Sequence, residues 1–463
     1  MPSPADTPSI RRADLPRLLL LGLGVWLHAA DNLVAATIMP SAVREIGGLP
    51  YIYWTIGLYE LGSILAGALA GLFTLRFGLA RAMAVMAACY GAGCLASTLA
   101  PDMAIMLAGR LLQGFGGGGM VALSYVGVSV AFPKSLWPKL YALISAVWGV
   151  SALTGPMIGG LFAAIGHWRL AFLFFAVQAL ALAVLASRLR PAGGGQAEGG
   201  AGNTRPPWLA LGTLAAVILA ASFAGVQQNP LGGMALALLA ALLFRLFLSL
   251  EARASERLLP PHILDPSKAW GPGFLMVFTL AAATISFTVY APLLLQELEG
   301  VSPFVAGLLI VGESIAWSGT ALLVAGAGEA RERTLIRGGA VSIAAGVAWL
   351  AVAMPTGAVF WILPGALLQG GGFGLCWAFL ARRLVGAMPP GEEARGAGAV
   401  PTLQLIGYAL GAAMGGIIAN GTGLAEQAPR AVVASAAFWL FAAFLPLTAV
   451  GIWGAFRTTA ARS

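Results

Sequence analysis

Runs of about 20 apolar residues recur along the whole chain, separated by short polar or Gly/Pro-rich stretches. A run of 18 or more apolar residues with few charges is long enough to cross a hydrocarbon core as a helix. The pattern predicts spans near 16–38, 51–75, 82–100, 104–131, 140–164 and 168–187. A Gly/Pro-rich segment follows, then spans near 208–226 and 231–249 and a charged loop. Six more come near 270–296, 303–327, 335–354, 358–381, 397–419 and 431–455. The expected class is therefore an all-α membrane protein with 14 spans. Its expected parts are an N-terminal six-helix bundle (1–190), a flexible cytoplasmic linker (191–207), two additional helices (208–250), a cytoplasmic connector (251–268) and a C-terminal six-helix bundle (269–463).

Composition agrees: 59% of residues are hydrophobic and 10% charged, against about 25% charged in soluble domains. The net charge of +8 would suggest nucleic acid in a soluble chain. Here it follows from the bias of Lys and Arg to cytoplasmic loops. With both termini inside, 22 of the 26 basic residues fall on the cytoplasmic side. Arg44, Arg169 and Arg430 fall outside, and Arg110 lies within a span. One missed span would scramble that asymmetry. Arg11, Arg12 and Arg17 ahead of an apolar run imitate a signal peptide, but the run continues through Asp31 and Asn32 to Pro40 without a small-residue cleavage site. It reads as an uncleaved first span. Cys89, Cys94 and Cys376 form neither a disulfide framework nor a metal-ligand spacing.

The two bundles repeat one another. G-R-L-L-Q-G-F-G-G-G (109–118) aligns with G-A-L-L-Q-G-G-G-F-G (365–374), identical at seven of ten positions. Pro40 with Glu45 matches Pro292 with Glu297. Such repeats are expected in transporters whose halves are related by an axis along the membrane normal. The halves have diverged: Ala366 replaces Arg110, and an apolar stretch replaces Asp31.

A cation amid a membrane span costs roughly 2.5–3.5 kcal/mol, so Arg110 calls for an acidic partner or a polar cavity. His28, Asp31 and Asn32 stand at i, i+3 and i+4 and share a helical face. Glu60 and Glu313 lie mid-span in approximately corresponding places of the two halves. Gln113, three residues from Arg110, faces the same way. One cation among three acids leaves two surplus negative charges when all ionise, which favours cationic or neutral substrates. Trp54, Tyr59, Trp148, Tyr290, Trp317, Trp377 and Tyr408 are candidates for an aromatic lining. Gly114–Gly119 satisfies G-x-G-x-x-G, but no strand precedes it, so a dinucleotide site is not expected. There is no phosphate-loop lysine, nucleophile–base pair or metal-ligand cluster. No enzyme, cofactor, metal or nucleic-acid partner is expected.

The ordered motifs resemble the major facilitator superfamily, and within it the 14-span drug:proton antiporter branch. A-D-N-L-V-A-A-T-I-M-P (30–40) is similar to the first-span motif, and L-A-G-R-L-L-Q-G-F-G-G-G (107–118) to the fourth-span motif. G-V-S-A-L-T-G-P-M-I-G-G (149–160) is similar to the antiporter motif of the fifth span, and H-W-R-L-A-F-L-F (167–174) to the start of span six. The resemblance implies proton coupling through Asp31 and Arg110, joined here by Glu60 and Glu313. It implies a substrate cavity near His28, Asn32, Tyr59, Gln113, Trp148, Tyr290, Trp317, Trp377 and Tyr408. It implies gating and helix packing at Gly149, Gly155, Pro156, Gly159 and Gly160. In the loop after span two, Gly71, Arg76, Gly78 and Arg81 fit the family pattern, but Leu75 stands where an acid is usual. Glu329, Arg331, Glu332 and Arg333 of the second half are candidates to substitute for the missing latch.

The function implied is proton-driven export of small amphipathic compounds by alternating access. The expected setting is the lipid bilayer of a bacterial cytoplasmic (inner) membrane, as a monomer with both termini cytoplasmic. A dedicated metabolite, siderophore or lipid carrier of the same fold is the alternative. The peptide-transporter branch is disfavoured because its first-span E-x-x-E-R signature is missing.

Overall fold

Apolar sequence at this length has few options in a bilayer, where each backbone amide needs an internal partner. The computed structural model describes residues 14–133, 136–188, 207–227, 229–254, 257–389, 392–425 and 428–460. Among these, 14 helical stretches are long and apolar enough to cross a membrane. The first six are α1 (Leu15–Ile46), α2 (Trp54–Phe77), α3 (Leu79–Thr98), α4 (Met103–Ala131), α5 (Trp137–Ala164) and α6 (Trp168–Arg188). Between the halves stand α7 (Trp208–Gly225) and α8 (Pro230–Arg253). The second half comprises α9 (Gly271–Glu299), α10 (Pro303–Val324), α11 (Glu329–Ala353), α12 (Val359–Gly386) and α13 (Glu393–Gly421). Its last span is broken into α14 (Arg430–Ala442) and α15 (Leu445–Thr458). Of the linker expected at 191–207, only Pro207 is among the described residues.

Local signals set several helix starts. Asp102 accepts the Ile105 amide at 3.0 Å and caps α4, and Ser302 accepts the Val305 amide at 3.3 Å and caps α10. Gly78, with φ of 76°, turns the chain between α2 and α3.

In lipid, close packing rather than the hydrophobic effect holds helices together, and small residues permit it. The repeated G-x-L-L-Q-G segment shows how. A Cβ at Gly109 would lie 2.8 Å from the Gly93 carbonyl of α3, and one at Gly365 would lie 2.7 Å from Leu350 of α11. Five residues on, Gly114 abuts the Tyr59 carbonyl of α2 and Gly370 abuts the Glu313 carbonyl of α10. Each fourth span is thus wedged between the second and third spans of its own half. The same contacts fix the correspondence of the halves. Glu313 is the counterpart of Tyr59, and the counterpart of Glu60 is Ser314. Glu60 and Glu313 are thus offset by one residue, about 100° around a helix.

The two halves meet at one end of the molecule. Gly160 of α5 packs on the backbone of Pro303 and Phe304, and Gly307 of α10 packs on the Pro156 carbonyl. Arg44 at the end of α1 donates to Gln296 Oε1 of α9 at 2.7 Å and lies 4.0 Å from Glu297. On the other side, the Tyr53 ring fills the space beside Gly416 of α13, and its hydroxyl donates to the Ser222 carbonyl of α7 at 2.5 Å. Asn420 donates to the Gly225 and Pro50 carbonyls at 2.7 and 3.0 Å. So α7 is stitched into the seam between α2 and α13, whereas α8 packs mainly on α7 and leaves most of its surface to lipid. This sealed end carries Arg44, Arg169 and Arg430, the three cations assigned to the outside.

Candidate functional site

Arg110 projects from the middle of α4 and is fully buried. Its Nη1 donates to Asp31 Oδ2 of α1 at 2.7 Å and to Gln113 Oε1 at 2.5 Å. Its Nε donates to the Thr55 carbonyl at 3.2 Å, and its guanidinium lies 4.2 Å from the centre of the Tyr59 ring. Two atoms of the pair are left over: Asp31 Oδ1 and Arg110 Nη2 have no hydrogen-bond partner. Burying two charges is costly unless geometry and extra hydrogen bonds offset it.

On α1, His28, Asp31 and Asn32 reach Tyr59, Arg110 and Glu60 respectively. The His28 ring stacks on Tyr59 with Nδ1 3.0 Å from its hydroxyl, and that hydroxyl also donates to the His28 carbonyl at 3.0 Å. Trp148 of α5 sets its edge against His28 and is itself 39% exposed. Asn32 donates to Glu60 Oε1 at 2.9 Å, and Glu60 Oε2 is buried without a partner. His28, Asp31, Asn32, Tyr59, Glu60, Arg110, Gln113 and Trp148 thus form one connected polar and aromatic cluster, drawn from α1, α2, α4 and α5. Ser97 of α3, which no sequence motif marked, holds Gln113 by accepting from its Nε2 at 3.0 Å. Tyr90, also unmarked, donates to the Leu27 carbonyl at 3.1 Å beside the same face of α1.

Glu313 stands apart from this cluster. Gln369, the repeat counterpart of Gln113, donates to its Oε1 at 2.7 Å and reaches the Thr284 carbonyl at 3.4 Å. Tyr408, held by Gln404 at 2.9 Å, lies within electrostatic reach of both Glu313 and Glu60. Trp317 stacks on Phe373 with ring centres 4.7 Å apart, and Trp377 joins them at 6.0 Å. Tyr290 sits elsewhere, buried near Gly415 by the sealed end with its hydroxyl unpartnered.

The fifth-span motif serves two contacts. Gly155 and Gly159 press on Ala30, Val34 and Thr37 of α1, while Pro156 and Gly160 face α10 across the halves. A Cβ at Gly149 would meet nothing within 4 Å, so that residue joins neither contact. At the end opposite the seal, Arg76 and Arg81 are exposed, and Arg76 lies over Phe77. Gly71 lies in α2; the side chain at Leu75 falls outside the described residues. The 329–333 segment, expected as a loop, is the first turn of α11. Its Glu332 bonds Arg382 at 2.6 Å and Arg383 at 2.7 Å in α12, a latch within the C-terminal half. Arg331 and Arg333 are exposed, and the Glu329 side chain is outside the described residues.

Comparison with known proteins agrees with this geometry. The profile of the Major Facilitator Superfamily matches residues 21–412. A Mycobacterium tuberculosis protein named "Probable multidrug-efflux transporter" is 32% identical over 454 residues, covering 95% of this chain and 94% of the relative. Among solved structures, a POT family transporter in complex with 5-aminolevulinic acid superposes with a TM-score of 0.67 at 14% identity, covering 96% of both chains. A D-xylose-proton symporter superposes with a TM-score of 0.66 at 16% identity, covering 96% of this chain and 97% of its own. At such identities the structural likeness concerns the fold alone. Two pseudo-equivalent bundles, 14 spans and a buried polar centre go with a match over most of the length, and the chain belongs to the major facilitator superfamily of alternating-access membrane transporters.

Proposed function

We propose that this transporter exports small amphipathic cationic or neutral compounds in exchange for protons, in the manner of multidrug efflux. The observation that carries the reading is the fully buried Asp31–Arg110 pair with a free oxygen on one partner and a free nitrogen on the other. A carboxylate so placed gains or loses a proton when water or a second cation reaches it. The name of the Mycobacterium tuberculosis relative supports the drug class, and the surplus of acids over Arg110 supports cations or neutral molecules over anions.

In this reading the sealed end is the outer one and the opposite end opens to the cytoplasm of a bacterial inner membrane, with both termini on that side. Substrate enters from the open end toward Trp148, Tyr408 and the Trp317–Trp377 cluster and meets Glu60 or Glu313. The outer seal then opens as the halves rock. A proton arriving at Asp31, and at Glu60 or Glu313, releases the substrate outward. Its loss to the cytoplasm restores Asp31–Arg110. A monomer holds both halves and all of these groups, and the proton gradient supplies the drive.

The test uses inside-out membrane vesicles with an acid interior. Lipophilic cations and neutral drugs are added, and collapse of the gradient is followed. Collapse by several unrelated compounds, lost in Asp31→Asn, is expected. No response from folded protein would instead favour a dedicated metabolite, siderophore or lipid carrier. Retained proton dependence in Asp31→Asn would remove that residue from the coupling.

A further inference from the structure

Cationic groups gather a second time far from Arg110, at the end of the C-terminal half opposite the seal. A cleft of about 520 Å³ lies between the connector ahead of α9, the last turn of α12 and the end of α15. Lys268, Arg383 and Arg457 line it together with Ser267 and Thr458, and among the described residues no acidic side chain does. Arg383 is fixed in place: its Nε donates to the Thr458 carbonyl at 2.8 Å and its Nη1 to Glu332 at 2.7 Å. The side chains of Lys268 and Arg457 make no hydrogen bond or close ion pair among the described residues, and Lys268 lies within electrostatic reach of Asp265. Asp265, nearby, accepts from the Ser267 amide and hydroxyl at 2.9 and 2.7 Å, which holds its carboxyl below the usual range. Even with Asp265 and Glu332 counted, the cations (Lys268, Arg382, Arg383 and Arg457) are in excess.

Two further features point to an anionic occupant. Thr458 lines the cleft wall with its hydroxyl turned inward against α9, so the cleft surface itself is left to the cations. It sits over the first turn of α9, where a Cβ on Gly273 would lie 3.0 Å from that hydroxyl. The N-terminus of a 29-residue helix carries a partial positive charge. The walls are the terminal turns of three membrane-spanning helices, which places the mouth at headgroup depth. Trp453 and Phe456, exposed on α15 within a turn or so of Arg457, continue the surface toward the apolar layer. The four oxygens of a lone phosphate occupy on the order of 100 Å³, scaling from about 30 Å³ per water. That leaves most of the cleft for the rest of a headgroup.

We propose that this cleft binds the phosphate-bearing headgroup of an anionic membrane lipid. Lys268 and Arg457 hold the phosphate oxygens, and the acyl chains run down past Trp453 and Phe456. Basic pockets between spanning helices suit such headgroups. The bound lipid ties the connector to the ends of α12 and α15, whatever the transported substrate.

Native mass spectrometry of the full-length protein in detergent, titrated with phosphatidylglycerol or phosphatidylcholine, tests this. Phosphatidylglycerol is expected to bind at least about tenfold more tightly, the step that corresponds to 1.4 kcal/mol. Lys268→Ala with Arg457→Ala should abolish the difference. Arg331→Ala with Arg333→Ala, which removes the same charge elsewhere at this end, should preserve it. If the paired variant does not fold, Lys268→Gln alone, on an exposed connector side chain, should weaken phosphatidylglycerol binding severalfold. Equal binding of the two lipids by wild type, or a difference that survives loss of Lys268 and Arg457, would overturn the proposal. Displacement of phosphatidylglycerol by inorganic phosphate at equal concentration would overturn the lipid as the source of the phosphate.

Discussion

Gly159 and Gly160 are adjacent, yet the structure assigns them different work, and alanine at each separates the two. A Cβ at Gly160 would stand 2.8 Å from Phe304 Cα and 3.1 Å from the Pro303 carbonyl oxygen. Unstrained carbon contacts fall at about 3.5–4.0 Å, so the seam between α5 and α10 must open by roughly 1 Å. Both obstacles are backbone and cannot turn aside. Overpacking of this kind costs about 1–3 kcal/mol, and here the cost falls on the sealed state alone, because the contact joins the two halves. The sealed population should drop relative to the opened one by a factor of about 5–150. Gly159→Ala instead drives a Cβ into Thr37 and toward the Val34 carbonyl, 2.7 Å away within the same half. Both states suffer alike, so stability falls while the balance between them stays. Spin labels at Leu99 and Val352, exposed on opposite halves near the sealed end, report the balance by pulsed electron–electron distances. The background lacks Cys89, Cys94 and Cys376. Gly160→Ala should add a longer distance with little change in melting temperature, and Gly159→Ala should do the reverse. An unchanged distance distribution in Gly160→Ala would refute the seal as described.

Arg110→Ala strands Asp31 in a fully buried site and should cost about 3–5 kcal/mol of stability; adding Asp31→Asn should restore part of the melting temperature in detergent, and no restoration would argue against the pair. Glu60→Gln keeps a hydrogen-bonding partner for Asn32, so thermal stability should hold within a few degrees while drug-driven proton movement in vesicles falls. Unaltered proton movement would remove Glu60 from the coupling. Tyr53→Phe deletes the bond to the Ser222 carbonyl and should cost about 0.5–1.5 kcal/mol, read as faster hydrogen exchange at the end of α7; exchange equal to wild type would show that α7 is held by other contacts.

The sequence alone was enough for the spans, the repeat and most of the polar centre, and the reason is the solvent. A bilayer admits only internally bonded helices, so apolar length translates directly into spans. An ionisable residue within a span is so costly that it marks itself, which is why Asp31, Glu60, Arg110 and Glu313 stood out. Helical periodicity then placed His28, Asp31 and Asn32 on one face, and their contacts to Tyr59, Arg110 and Glu60 all use it.

Packing decided the rest. The one-residue offset that pairs Glu313 with Tyr59 is a matter of which carbonyl a glycine touches, and a gap-free alignment of apolar helices carries no such information. Gly149 and Gly160 look alike in the fifth-span motif, but only the second faces a partner helix. Ser97, Tyr53 and Asn420 read as ordinary polar residues at or near helix ends or within an apolar run. Their roles exist only because Gln113, Ser222 and Gly225 arrive from elsewhere in the chain. The 329–333 charges read as a loop, because charge density imitates a connector. They begin a helix because Glu332 finds Arg382 and Arg383 across the fold. Composition and period fix what each segment is. Which end closes, and which charges are left with a free atom, depends on distances between helices far apart in sequence, and these arise only when the two halves come together.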